Sequence, residues 1–504
     1  MNSYEETYDL VTSHVREAAI LESIQELLEW DERTKMPAAG GNYRADQAAY
    51  VAGLEHRKQT DPRLGEWLTE LAESPLAADQ SGDTGTVIRH LRREYDKQTR
   101  KPQKLVEELT RAAVEGQQIW AAARKANNFA AFQPILEKMV DLKKQEAAAL
   151  GFETTPYDPL LDDYEPGEST ENIAHVLSNL RDALVPLVQA IAESGQRPDV
   201  SILERTYPAD AQESFGKQAA AAICFDFTAG RLDSTDHPFC CMLGPNDVRL
   251  TTRYDEHWFS DCFFSILHEA GHGIYDQGLP AEHYGLPTGE YVSLGIHESQ
   301  SRLWENQVGR SRAFWEHFFP SAQQAFPQAL GDVTREAFYG AINDVRPSLI
   351  RVEADEVTYN LHILIRFELE KALLEDQLSV ADLPGAWDEK YMHYLGVASP
   401  TADDGVLQDV HWSAGLFGYF PTYALGNLYS AQFFGQAQED LGDLDAQFRR
   451  GEFSNLREWL REKIHRHGKR YSAAELAERI TGKPLSHQAL IQQLSVKYGE
   501  LYGL

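Results

Sequence analysis

Apolar residues recur along most of this chain at the three-to-four spacing that places them on one side of a helix. After Ser169, a hydroxyl residue suited to capping a helix start, Ile173, Val176, Leu177, Leu180, Leu184 and Leu187 keep that spacing up to a stop near Gly195. The stretch from Tyr4 to about Leu28, the stretch from Lys104 to Ala147 and the tail from Ser472 to Tyr498 repeat the pattern. It breaks between Ile223 and Arg253, where Gly230, Asp233, Ser234, Asp236, Pro238, Gly244, Pro245 and Asn246 crowd together. Within that break, Cys224 to Phe227 and Val248 to Thr252 are predicted as short strands of a small antiparallel sheet joined by a turn-rich loop. The edge of such a sheet can hold an extended peptide by main-chain hydrogen bonds. The predicted class is mainly α, with a small β insert at mid-chain and neither internal repeats nor a low-complexity linker.

Where the helical period returns, it carries chemistry. Trp258, Phe259, Cys262, Phe263, Ile266 and Leu267 lead into His268-Glu269-Ala270-Gly271-His272, and Gly278 before Pro280 is the predicted stop. Histidines at i and i+4 share a helix face, about 6 Å apart along the axis. Two imidazoles so placed can converge on one ion, and Glu269 beside the first can reach a water on it. With 17 histidines in 504 residues, chance produces an HExxH in roughly one chain in twenty, so context must support it. Gly271 and Gly273 weaken the helix but leave room for another element to approach the metal. A catalytic zinc site also needs a third protein ligand and an open position. A second predicted helix, Ser293 to Asn306, offers His297, Glu298 and Glu305. Helix neighbours point about 100° apart, so only one of His297 and Glu298 faces the ion, and spacing does not choose among the three.

Composition narrows the partners. A net charge of −31 and a pI near 4.9 set up a field that repels phosphate backbones and anionic membranes, so neither nucleic acid nor a membrane is expected. No apolar run approaches the roughly 18 residues of a membrane span, and the acidic start Met1-Asn2-Ser3-Tyr4-Glu5-Glu6 does not resemble a signal peptide. Cys224, Cys240, Cys241 and Cys262 form no CxxC pair and do not suggest a disulfide framework, which fits a soluble cytoplasmic protein. His237, Cys240 and Cys241 are candidates for a second metal site, although adjacent cysteines are poorly placed to grip one ion. At 504 residues, length alone suggests two or more domain-sized units.

Six short segments then occur in order: His237-Pro238-Phe239; Asp247-Val248-Arg249-Leu250-Thr251; the HEAGH residues; His297-Glu298-Ser299-Gln300; Ile350 to Asp355, reading IRVEAD; and Gly405 to Trp412, reading GVLQDVHW. In these the chain resembles the carboxypeptidase Taq family of thermostable metallocarboxypeptidases, over nearly all its length. The resemblance implies a large helical zinc-peptidase fold acting as one unit over residues 1–504. Roughly residues 1–220 would form a helical N-terminal part covering a groove, and 221–504 a catalytic part with the β insert beside the groove and the zinc helices. It implies that Glu298, rather than His297, completes the ligand set with His268 and His272. It also implies bound Zn2+, with Co2+ a possible substitute, a homodimer, and release of C-terminal residues from peptides with broad specificity. Cys240-Cys241 departs from the small hydroxyl residues expected after His237-Pro238-Phe239.

The remaining roles combine chemistry with that resemblance. Glu269 is the expected general base. The oxyanion of the tetrahedral intermediate needs further donors, and His411, Tyr419 and Tyr423 supply an imidazole and two phenols, a role carried over from helical zinc peptidases. A free substrate carboxylate calls for a planar guanidinium; Arg351 is the first choice, with Arg249 and Arg253 as alternates. Asp355 is a candidate for orienting a zinc histidine. Two rival readings are an endopeptidase or oligopeptidase on the same scaffold, and a noncatalytic, metal-stabilised helical binding protein. The second is disfavoured because structural zinc usually takes four protein ligands and the cysteines lie outside the motif.

Overall fold

A computed structural model describes residues 3–504. Helices dominate it, as the apolar period requires, and none is long and apolar enough to cross a membrane. Their ends follow local chemistry. The first helix, Tyr4–Thr34, opens on a Ser3–Glu6 capping box and runs past the expected end. The Lys104–Ala147 stretch is two helices, Gln103–Lys125 and Phe129–Leu150. Asn127 breaks it with φ 49°, and the Asn128 side chain caps the second helix. The tail also divides, into Ala473–Thr481 and Gln488–Tyr502, after Gly482 takes the left-handed conformation that stops the first.

The β insert differs from the expectation. Three strands, β1 (Gly230–Ser234), β2 (Cys240–Gly244) and β3 (Asp247–Thr252), pair in the order β1-β3-β2. β2 runs antiparallel to β3, but β1 runs parallel to it, with Gly230 opposite Val248, so the sheet is mixed. Cys224 to Phe227 is not a strand. Cys224 has φ 81°, and the Cys224 and Phe225 amides donate to the carbonyls of Ala221 and Ala220, closing the helix Ala209–Ala222. The apolarity of this segment serves the core: Phe225 is buried against Gly230 and Gly273, whose missing side chains leave it room. The first helix packs against β2, and its Trp30 ring lies 5.0 Å from the guanidinium carbon of Arg231 on β1 and 4.2 Å from that of Arg249 on β3.

One large hydrophobic core extends from Leu105 to Tyr502, and a smaller one joins Val11, Leu64, Leu68, Leu71 and Ile88 in the N-terminal helices. The HEAGH residues lie in the helix Phe259–Gly278, whose Phe259 and Phe263 bury into an aromatic cluster with Phe215 and Trp315. The Glu298 helix, Leu294–Arg302, packs between this helix and the helix Pro421–Leu441. Both approaches need glycine. A β-carbon on Gly271 would lie 2.6 Å from the Gln300 carbonyl oxygen and from Ser301 Cα, and one on Gly426 would lie 2.7 Å from Glu298 Cβ. The start of the Glu298 helix is held by Glu165, a buried carboxyl that accepts hydrogen bonds from Ser293 Oγ at 2.7 Å and the Gly295 amide at 3.0 Å.

Candidate metal centre and active site

Packing of these two helices brings His268, His272 and Glu298 to one point, and among the described residues they form the sole such group able to hold a metal. Glu298 Oε2 lies 3.6 Å from His268 Nε2 and 3.4 Å from His272 Nε2. Ligand atoms about 2.1 Å from a tetrahedral zinc are about 3.4 Å apart, so this donor set fits the ion. His237, Cys240 and Cys241 do not form a second group. Instead Cys240 Sγ lies 3.8 Å from Asp276 Oδ2, and Asp276 Oδ1 accepts from His297 Nε2 at 3.0 Å. His297, with its nitrogen so engaged, stacks on the His272 ring at a centroid distance of 4.4 Å. It braces a ligand rather than competing with it.

Glu305, the third ligand candidate, supports the centre from behind. Its Oε2 accepts from His268 Nδ1 at 3.0 Å, which leaves Nε2 facing Glu298. The backbone explains the reach: after Arg302 the chain widens into a π-helical stretch, Leu303–Val308. Arg302 ties the two carboxylates together, its Nε 2.7 Å from Glu298 Oε1 and its Nη1 3.1 Å from Glu305 Oε2. Asp355 does not take the orienting role suggested for it. It accepts from the Val357 and Thr358 amides and from Thr358 Oγ1, bracing the start of the helix Tyr359–Leu374.

Electrostatics follow from burial and these partners. Burial pushes the Glu269 carboxyl up to about 7, a value suited to taking a proton near neutrality. Burial lowers His272 to about 4, and His297 adds to the effect. His268 is raised because Glu298 and Glu305 outweigh the burial that opposes them. Burial alone would raise both supporting carboxylates, yet Arg302 holds Glu298 well below the usual range and Glu305 at about 2.

A second group stands against the first. The Tyr359 ring lies 4.5 Å from the Arg302 guanidinium carbon, and its hydroxyl accepts from Arg351 Nη1 at 3.1 Å. Arg351 is buried, with Nε and Nη2 donating to Asp409 Oδ1 at 3.0 and 2.7 Å. Its guanidinium carbon lies 5.1 Å from the Tyr423 ring centroid. Tyr423 Oη is 3.2 Å from His411 Nε2, and the Tyr419 ring lies 5.3 Å from Tyr423 and 5.4 Å from His411. Burial raises both phenols, keeping their protons available, and lowers His411 to about 4, keeping it neutral.

The alternate arginines are not part of this group. Arg249 pairs with Asp247 at 2.9 Å through two nitrogens and lies over Trp30; Arg253 pairs with Asp261. Sequence reasoning missed Arg302, Tyr359 and Asp409. Arg302 carried a signal, four residues beyond Glu298 on one helix face, and Asp409 lies two residues before His411.

A family model described as Carboxypeptidase Taq (M32) metallopeptidase matches residues 10–498. The chain is 48% identical to thermostable carboxypeptidase 1 of Thermus thermophilus, with 99% of each chain covered. It is 39% identical to carboxypeptidase 1 of Bacillus subtilis, with 100% of each covered. Among solved structures it superposes on an M32 carboxypeptidase of Deinococcus radiodurans with TM-score 0.96 at 42% identity, covering 99% of this chain and 100% of that one. Metallocarboxypeptidase 1 of Trypanosoma cruzi gives TM-score 0.92 at 31% identity, covering 98% and 99%.

Proposed function

The chain belongs to the carboxypeptidase Taq (M32) metallopeptidase family, and from that premise we propose that it is a zinc-dependent carboxypeptidase releasing single residues from peptide C-termini with broad specificity. One observation carries the proposal: a buried guanidinium, Arg351, stands beside Tyr423 and its partner His411 and is joined through Tyr359 and Arg302 to the His268, His272 and Glu298 group. When bound there, a divalent metal supplies Lewis acidity that polarises the scissile carbonyl and acidifies an attacking water.

The residues divide the remaining work. Arg351 has N–H groups beyond those given to Asp409 and Tyr359, and they bind the substrate carboxylate. Glu269 takes the proton of the attacking water and later passes it to the leaving amine. His411, Tyr419 and Tyr423 donate hydrogen bonds to the developing oxyanion. Glu305 holds His268 in one tautomer throughout. An endopeptidase has no use for a buried arginine at this position, so the exopeptidase reading is favoured. The proposal further includes a homodimer working as one unit over residues 1–504, peptides with a free C-terminus as its partners, and Co2+ as a substitute metal, all supported by the family resemblance; a cytoplasmic location is supported by the few, unpaired cysteines.

Two measurements test it. Glu269→Gln should lower turnover by about 10²- to 10⁴-fold, the usual worth of a general base, while bound metal stays near one equivalent. C-terminal amidation of a peptide should abolish most of its hydrolysis. Equal cleavage of free and amidated peptides would overturn the exopeptidase reading, and a fully active Glu269→Gln would overturn the mechanism.

A further inference from the structure

The anchor around Arg351 does not balance in charge. Arg366, in the helix Tyr359–Leu374, is wholly buried, a position that only close partners make tolerable for a guanidinium. Its Nε donates to Asp409 Oδ2 at 2.6 Å, and Nη1 donates to the His362 carbonyl at 2.8 Å and the Tyr391 hydroxyl at 3.2 Å. The Trp387 ring covers it at 4.6 Å. Arg351 holds the other oxygen of the same carboxylate. One aspartate therefore serves two arginines, leaving a surplus of one positive charge. The flanking imidazoles do not remove it, since burial keeps both His362 and His411 neutral. The next guanidiniums, Arg302 and Arg310, are already matched one for one by Glu298 and Glu305.

Had Asp409 only Arg351 as partner, the pair would be neutral and would offer an incoming carboxylate little attraction. We propose that Arg366 is a positioning residue for substrate recognition: by engaging the far oxygen of Asp409, it leaves the Arg351 face positive and sets affinity for the substrate carboxylate without touching the peptide. The inference rests on the reading of Arg351 as the carboxylate anchor. It goes beyond that reading in placing part of the recognition on a residue that meets no substrate.

The test uses the full-length, metal-loaded enzyme, with kcat and KM on an unblocked peptide and inhibition constants for free phenylalanine and for phenylalaninamide. Arg366→Met leaves Asp409 paired with Arg351, so it strands no carboxylate. Arg366→Gln keeps a donor to Asp409 without the charge, and serves if the methionine variant does not fold. Either is expected to raise KM about tenfold with kcat within about threefold, and to weaken phenylalanine but not phenylalaninamide. Arg366→Lys should restore most of the loss. A fall in kcat at unchanged KM, or equal weakening of acid and amide, would overturn the inference. Arg351→Met separates the two readings. If it leaves KM unchanged, the anchor itself is wrong; if it raises KM while the Arg366 variants do not, the anchor stands and the inference about Arg366 falls.

Discussion

Alanine at position 426 adds one carbon where the helix Pro421–Leu441 meets the third metal ligand. That carbon would lie 2.7 Å from Glu298 Cβ and 3.1 Å from the Glu298 carbonyl carbon. Carbon atoms pack comfortably at about 3.5–4.0 Å, and Glu298 Cγ would lie closer still than Cβ, so roughly 1 Å or more must be found. The helices can separate, an overpacking strain of about 1–3 kcal/mol, or the Glu298 side chain can give way. Metal–ligand distances tolerate only about ±0.2 Å, so either response pulls the carboxylate off the centre. Gly426→Ala is therefore expected to weaken metal binding by about tenfold or more, comparable to losing an outer-shell partner. Chelator competition measures this directly, and thermal unfolding of the metal-free protein measures the strain. Gly435 is the control, because it lies in the same helix with nothing within 4 Å of an added β-carbon. Gly435→Ala should bind metal normally and unfold at the same or a higher temperature. Identical metal affinity and unfolding temperature in the two variants would refute the packing argument.

Two further outcomes follow from contacts of the Glu298 helix and the π-helical stretch that continues it. Glu305→Gln retains an acceptor for His268 but removes the charge that Arg302 and Arg310 face, so metal affinity should fall by about 10- to 100-fold while turnover at saturating metal largely survives. Unaltered affinity in chelator competition would remove Glu305 from the account. Burial raises the Glu165 carboxyl from 4.5 to about 8, against the hydrogen bonds from Ser293 and Gly295. A carboxyl raised in the folded state contributes stability that is complete below about pH 4.5 and lost as pH climbs through about 8. Thermal stability should consequently decline between about pH 5 and pH 8 and level off above that, and decline less in Glu165→Gln; parallel pH profiles would contradict this.

The legible parts of the sequence were those where local chemistry decides. HEAGH declares itself because two histidines and a glutamate in so apolar a helix need a purpose, and the helix Phe259–Gly278 ends at the predicted Gly278. The choice among His297, Glu298 and Glu305 was not legible from spacing. All three lie at the candidate centre with different contacts, separated by a π-helical stretch that has no sequence signature and by a ring stack that depends on tertiary packing. Cys224 to Phe227 misled because an apolar run records burial, and burial served a helix end rather than a strand. Arg249 stands apart from the Arg351 group with a partner visible in the chain, since Asp247 two residues away shares its strand face. Arg351 differs only through Asp409 and Tyr359, one of them 58 residues distant.

The groups of the candidate metal centre, from His268 to Glu305, come from two helices and the π-helical stretch that continues the second, whereas the proposed substrate anchor and oxyanion donors lie between Arg351 and Tyr423. Regions of a protein open with different free energies, and this arrangement lets the two halves of the site fail separately. Heated enzyme can then pass through a form that has lost turnover while its metal is still bound. Metal content would overstate the active fraction in an aged preparation, and titration with a carboxylate-dependent inhibitor would be the sounder measure.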